Sequence, residues 1–307
     1  MTQVWRINIK TASQPDIDPR EFAIQNGYIG VGWAVDGECY DWETYMNLAN
    51  GTYGKKGYKG WWPAINAVKN KMKVNDLCWT RDNKGVYYLG RIKSDWLYQN
   101  SKPFKEADLV NTRECQWIKI GTVDSIPGKI VNSFIPSRTV QRISDATILE
   151  FSKYLFNKNA EEFHYPLESA ERDIYSLLSS DDCEDIVGIY LQYKFNYMFI
   201  PSTCKSDTMF YEYVLLHKET QKPATVQVKN GNVPLYIEKY RNENRDEVFL
   251  FTSKGPYIGE EQEYIHCLDP VEIREFIVSH RNLLPKKVQV WIDYLNEHTD
   301  PMALTFS

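Results

Sequence analysis

The chain has 307 residues, 43% hydrophobic and 25% charged, and its 36 Lys and Arg against 41 Asp and Glu give a net charge of −5. At roughly 100–200 residues per domain this length points to two domains, and the apolar content excludes a disordered, collagenous or coiled-coil chain. No stretch approaches the ~18 apolar residues of a membrane span, and the first ten residues lack the basic start and apolar core of a secretory signal, so a cytoplasmic protein is expected.

In chain order, the first half reads mostly as strands, at 4–9, 28–32, 77–80, 86–92 and 117–123, each rich in β-branched and aromatic residues and bounded by Gly, Asn or Asp. Residues 81–85 predict a hairpin turn. A helix is expected over 63–72, where Ile65, Val68 and Met72 share one face, and another start is expected near Asp41. The pattern predicts a small mixed barrel. After residue 145 the period changes: 168–178 and 181–193 predict helices, with Asp181 as the N-cap ahead of Glu184 and Ile186, Ile189, Tyr190 and Tyr193 on the apolar stripe. Strands follow at 196–200, 210–217, 224–229, 248–252 and 264–268, with a turn over 219–222. Asp269-Pro270-Val271-Glu272 then supplies a cap, a proline at the first helical position and an acid in the first turn, opening a helix through 279; a last helix is expected over 288–296. The fold class expected is α+β, and the boundary falls near 145, giving domains at 1–145 and 150–307.

Charge follows the same division. Residues 1–145 carry 20 basic and 15 acidic side chains, net +5, and 146–307 carry 16 and 26, net −10. Eight of the nine tryptophans precede residue 120. The six cysteines lie at least 21 residues apart and the five histidines form no HxxxH pair, so neither structural zinc nor a disulfide framework is expected.

The residues that point to chemistry sit in the second half. In Thr225-Val226-Gln227-Val228-Lys229, strand alternation puts Thr225, Gln227 and Lys229 on one face. Glu212 lies on the preceding strand, and the short turn brings it alongside the lysine. A carboxylate beside an ammonium suits a hard divalent cation and a phosphate: the acid holds the metal, and the lysine orients the attacking water and neutralises phosphate charge. An exposed sheet face with a merely solvated Lys229 is the plainer alternative.

Glu184 on a helix, then Pro201-Ser202-Thr203, Asp207, Glu212 and Val226-Gln227-Val228-Lys229 is similar to the PD-(D/E)xK nucleases, in the glutamine form of the Mrr-type restriction enzymes, over about 165–280. The resemblance implies a restriction-endonuclease-like α/β domain with Glu212, Gln227, Lys229 and Glu184 as catalytic residues, the metal (Mg²⁺ or Mn²⁺) held by Glu212, Gln227 and Glu184. Glu212 stands where Asp is usual, so Asp207 is a rival for that position.

Gly30-Val31-Gly32-Trp33, Val74-Asn75-Asp76-Leu77-Cys78-Trp79-Thr80-Arg81-Asp82, Tyr87-Tyr88-Leu89-Gly90-Arg91-Ile92 and Trp96 resemble the EVE branch of the PUA-like superfamily, over about 1–143, with Ile126-Pro127-Gly128-Lys129 and Ser137-Arg138-Thr139 fitting its C-terminal part. This resemblance implies a mixed β-barrel whose pocket takes a flipped, often methylated base. Stacking must return the cost of unstacking, so Trp33, Trp79, Tyr88 and Trp96 are wall candidates and Asp82 the edge reader. About half of such aromatics in a β-rich domain are expected to be core, and Asp82 beside Asn83 and Gly85 also fits a turn former. Lys55, Lys56, Lys59, Lys69, Lys71 and Lys73, interleaved with Trp61 and Trp62 and free of acids, form a candidate surface for a nucleic-acid backbone, or a solvated basic loop and helix. The combined expectation is a modification-dependent DNA endonuclease of phage defence, reading a modified cytosine and acting as a homodimer. RNA as substrate, or a non-catalytic binding protein, are the rivals.

Overall fold

A computed structural model of the chain describes residues 2–54, 60–136, 138–167, 173–201, 203, 211–241, 245–260 and 262–298. The chain is of mixed α+β class and forms two compact units, Met1–Ile126 with Ile130–Glu168, and Pro127–Lys129 with Ser169–Ser307. The first unit runs past the expected boundary at 145. Trp79 donates its Nε1 hydrogen to Ser152 Oγ (3.0 Å), which ties the helix after residue 145 to the first sheet.

In the first unit the elements are β1 (Val4–Ile7), α1 (Pro19–Gln25), β2 (Tyr28–Val31), α2 (Trp42–Tyr53), α3 (Trp61–Asn66), β3 (Leu77–Arg81), β4 (Tyr87–Ile92), β5 (Leu97–Tyr98), α4 (Lys102–Glu106), β6 (Asn111–Gly121), α5 (Gly128–Ser133), β7 (Val140–Ile143) and α6 (Ala146–Asn159). Strand order is β2-β6-β4-β3-β1-β7 with β5 on β6, a sheet that curls into a half-barrel. Trp5, Ile7, Ile29, Ile65, Val68 and Cys78 fill its inner face. The expected helix over 63–72 is α3 followed by a π-helical turn, Ala67–Lys71, and Ile65, Val68 and Met72 are buried as the spacing requires. Arg113 holds that turn: its Nε donates to Val68 O (2.5 Å) and Nη2 to Lys69 O (2.8 Å). The strand expected at 117–123 is the second half of the eleven-residue β6.

The second unit has α7 (Ile174–Leu177), α8 (Ser180–Lys194), β8 (Tyr197–Phe199), β9 (Tyr213–His217), β10 (Pro223–Lys229), β11 (Leu235–Tyr236), β12 (Glu247–Thr252), β13 (Tyr257–Ile258), β14 (Ile265–Cys267), α9 (Pro270–Ser279) and α10 (Lys286–His298). Its five-stranded sheet runs β14-β12-β10-β9-β8, with β10, β12 and β14 parallel and β8 and β9 antiparallel. The N-cap of α8 is Ser179, not Asp181: Ser179 and Asp182 form a reciprocal capping box, which satisfies two otherwise orphan amides. Its buried stripe is Cys183, Ile186, Val187, Tyr190 and Leu191, while Tyr193 is exposed. The Asp269 cap and Pro270 start of α9 are as expected, to the last residue. Among the described residues no helix is long and apolar enough to cross a membrane.

Candidate functional site

Register places the second unit's polar residues together. Thr225 pairs with Val214 and Val226 with Tyr213 across the β9–β10 hairpin, and Glu212, one residue before β9, donates its backbone N–H to Val226 O (2.8 Å). The Glu212 carboxylate therefore lies beside the Gln227 and Lys229 side chains. Its Oε1 accepts from Gln227 Nε2 at 2.5 Å and from Lys229 Nζ at 2.7 Å. Gln227 is 2% exposed, so this bond also answers the requirement that a buried amide be paired. The expectation of a lysine and an acid converging from neighbouring strands is met.

Glu184, on α8, lies near enough for the charges of Glu212 and Lys229 to act on its carboxyl. Tyr213 Oη donates to the Glu184 carbonyl (3.0 Å), and Gly188, a turn later, leaves room for that ring, since a Cβ there would lie 3.3 Å from the hydroxyl. The Glu184 carboxyl is pushed up to about 7, first by burial and then by repulsion from Glu212 and Asp181, with Lys229 pulling the other way. The fold thus holds this proton more tightly than the unfolded chain does. Stability from protonated Glu184 is fully present below 4.5 and is lost as pH rises through about 7. In urea unfolding at pH 5, 6 and 7, the gap between wild type and Glu184→Gln should therefore move in favour of the permanently neutral glutamine as pH rises; a constant gap would contradict the placement.

These side chains fit a small hard cation. Among the described residues no group of three or more His, Cys, Asp or Glu is gathered as a metal site. Mg²⁺ usually takes one or two carboxylates from a protein, the rest of its shell being water and substrate phosphate, and the Gln227 amide oxygen is a further hard donor. Glu212, Gln227 and Glu184 would hold it. Asp207 lies outside the described residues.

Residues with no local sequence signal support the lysine. Asn230, directly after it, donates through Nδ2 to Leu178 O (2.9 Å) and Tyr175 O (3.3 Å) and accepts from Ser253 Oγ (2.7 Å). Ser253 donates its backbone N–H to Lys229 O (3.1 Å). Lys254 pairs with Asp173 and donates to Ser176 Oγ (3.2 Å).

In the first unit the structure separates the five base-binding candidates. Trp79 is fully buried on the face toward α6 and is core, not a wall; a ring with no exposed surface has nothing to stack a base on. Asp82 is a turn former, its Oδ1 accepting from the amides of Lys84 (2.8 Å) and Val86 (2.9 Å). Tyr88 donates to the other oxygen of Asp82 (3.4 Å) at that hairpin. Trp96 is buried core in an aromatic cluster with Trp42, Tyr45 and Tyr98, and Trp33 packs, partly buried, against the same core. Trp42 meets Trp96 edge-to-face at 5.2 Å, and Lys69 Nζ lies 5.6 Å from the first ring and 5.1 Å from the second. Lys69 is thus partly committed to aromatic faces, while Lys71 and Lys73 are exposed. Lys55, Lys56 and Lys59 lie outside the described residues.

The chain after β2 is clasped from several sides. Tyr45 Oη donates to Trp33 O (3.2 Å), Tyr53 Oη to Ala34 O, and Asn111 Nδ2 to Gly32 O (2.7 Å) and Tyr45 Oη (3.1 Å); Val35 N donates to Tyr98 Oη (3.0 Å). The Asp108 carboxylate accepts from Ala12, Trp33 and Ala34 amides, while burial raises its pKa. The clasp holds Trp33 at φ 68°, a region that bulky residues rarely enter and that marks sites where structure over-determines the backbone. Asn111 is central, because it also accepts from Trp96 Nε1 (3.2 Å). Asn111→Leu leaves these buried groups unpaired and is expected to cost about 2–3 kcal/mol, read as a lower denaturation midpoint; an unchanged midpoint would contradict the clasp.

A family described as a domain of unknown function (DUF8426) matches residues 5–144, the half-barrel without α6. No curated protein and no solved structure matches the chain.

Proposed function

We propose that this protein is a modification-dependent DNA endonuclease. Its second unit hydrolyses a phosphodiester with Glu212, Gln227, Lys229 and Glu184, and its first unit reads a modified base, a substituted cytosine. The observation that carries the reading is the shared Glu212 oxygen, bonded at once by Gln227 and Lys229, with a second carboxyl close enough to feel its charge. The succession of helix acid, strand acid and glutamine-lysine strand on a mixed sheet supports the likeness to the PD-(D/E)xK nucleases, and the half-barrel with its clasped Trp33 supports a PUA-like, EVE-type reader.

In this reading a bound Mg²⁺ supplies charge stabilisation at the phosphate and a more acidic water. Lys229, fixed on β10 and steered by Glu212, presents an ammonium to the phosphate and to the attacking water; Gln227 fixes the orientation of the Glu212 carboxylate through its amide hydrogen. The second unit's acidic balance disfavours nucleic acid, so delivery falls to the net-positive first half, through Lys71, Lys73 and the aromatic cluster. Cutting both strands needs two such centres, hence a homodimer on DNA, and a role in phage defence follows from the likeness.

The test is a panel of matched duplexes with cytosine or 5-methylcytosine, and the corresponding RNA, incubated with Mg²⁺ or Mn²⁺. Preferential cutting of the modified DNA is expected. Equal cutting of plain and modified DNA would remove the reader, and cutting of RNA alone would change the substrate.

A further inference from the structure

The second unit holds a cavity of about 550 Å³, within the roughly 300–1,000 Å³ usual for small-molecule sites. Its floor is sheet, with Tyr197 of β8, Phe249 of β12 and His266 of β14. Its sides are the end of α8, with Tyr190 and Phe195, and the start of α9, with Asp269 and Glu272. The rings meet in one series: Tyr190 and Phe195 at 5.8 Å, Phe195 and Phe249 at 5.9 Å, Phe249 and Tyr197 at 5.4 Å between centres. His217 and Lys222 line the cavity from the turn end of the β9–β10 hairpin, whereas Glu212 lies before the other end of β9, about 17 Å from His217 along an extended strand.

Two phenols in this cavity lack partners. Tyr190 is 2% exposed and Tyr197 6%, and among the described residues neither hydroxyl makes a hydrogen bond. Buried polar groups are normally paired, so two open hydroxyls beside a cavity leave acceptors for a ligand. Each lies close to an acid of the same cavity: burial and then the charge of Asp269 raise the Tyr190 pKa, and burial and then Glu247 raise that of Tyr197. Three acids, Glu247, Asp269 and Glu272, and one lysine, Lys222, line the space, a formal net charge of −2 with the histidines neutral. Asp269 also caps α9, accepting from Val271 N (2.8 Å), and Glu272 pairs with Lys194. Glu247 meets His266 Nε2 through Oε2 alone, which leaves its Oε1 open. The His266 ring stacks on Phe249 at 4.9 Å, and its side chain is 42% exposed, so the face turned away from Phe249 is free.

We propose that this cavity binds a small organic ammonium ion, its N–H groups held by Glu247 and the Tyr190 and Tyr197 hydroxyls and its apolar body laid against His266 and Phe195. The acidic balance selects positive charge, the unpaired oxygens select N–H donors, and aromatic walls favour a cation carried on an apolar stem. The site shares no residue with the cutting centre and stands or falls without it.

Benzylammonium is the probe, with benzyl alcohol as its neutral counterpart and benzyltrimethylammonium as the cation without N–H donors. Titrated into the full chain at neutral pH and fixed ionic strength, benzylammonium should bind, and each counterpart should bind at least about tenfold more weakly. Glu247→Gln should weaken benzylammonium by about tenfold and Tyr197→Phe by about fivefold. Both substitutions keep the shape of the side chain, and circular dichroism checks that each variant is folded. No binding of benzylammonium, equal binding of either counterpart, or wild-type affinity in both variants overturns the site.

Discussion

Lys229→Met should lower the rate of metal-dependent cleavage by about a hundred- to a thousandfold while duplex binding stays within a few-fold. Methionine keeps most of the stem, so packing beneath the sheet is little changed, and only the ammonium 2.7 Å from Glu212 Oε1 is removed. Two consequences separate this from a structural effect. Gln227 still donates to Glu212, so the acid is not orphaned, and the denaturation midpoint should hold to within about 1 kcal/mol, as is usual for a partly exposed ion pair. The pull of Lys229 on Glu184 disappears, so the Glu184 carboxyl titrates higher than about 7 and the pH dependence of stability moves upward with it. A variant that cuts at the wild-type rate would show that the lysine is only a partner for the acid.

Trp33→Ala should reduce preference for a modified duplex over a plain one by about five- to a hundredfold, the worth of one base stacked on an aromatic ring. The backbone of residue 33 is fixed by Tyr45, Asp108 and the neighbouring clasp, so the loop should keep its course when the indole is removed. Binding is measured by competition between plain and 5-methylcytosine duplexes at one salt concentration. Trp79→Phe serves as the counterpart: Trp79 is core, so that change should lower stability and leave the preference intact. Loss of preference at Trp79 with none at Trp33 would invert the assignment of the pocket.

What the sequence revealed follows from how local each signal is. The Glu212, Gln227 and Lys229 meeting was legible because a hairpin with a short turn converts spacing into neighbours, and the Asp269-Pro270 start of α9 because caps act within one turn. The Ser179 cap was displaced by Asp181 because three acids and two serines compete there, and only the reciprocal bond with Asp182 distinguishes the winner. Half of β6 was missed because Asn111, Thr112 and Arg113 read as polar, though each is buried and bonded to a partner far along the chain. Trp79 and Trp96 look alike in sequence; Trp79 in β3 faces α6, where Ser152 accepts its Nε1 hydrogen, and Trp96, between β4 and β5, joins the aromatic cluster, where Asn111 accepts its own, so distant partners decide the difference. Asn230, Ser253 and Lys254 gave no signal at all, since their hydrogen-bond partners lie 22 to 78 residues away.

The most direct test of the cutting centre is single-turnover cleavage of a 5-methylcytosine duplex with Mg²⁺ by the wild type and by Glu212→Ala, with binding of the same duplex measured in parallel. The account predicts that the wild type cuts, and that the variant binds the duplex and leaves it whole. A wild-type chain that binds and never cuts with Mg²⁺ or Mn²⁺, or a Glu212→Ala chain that cuts as fast as the wild type, would contradict it.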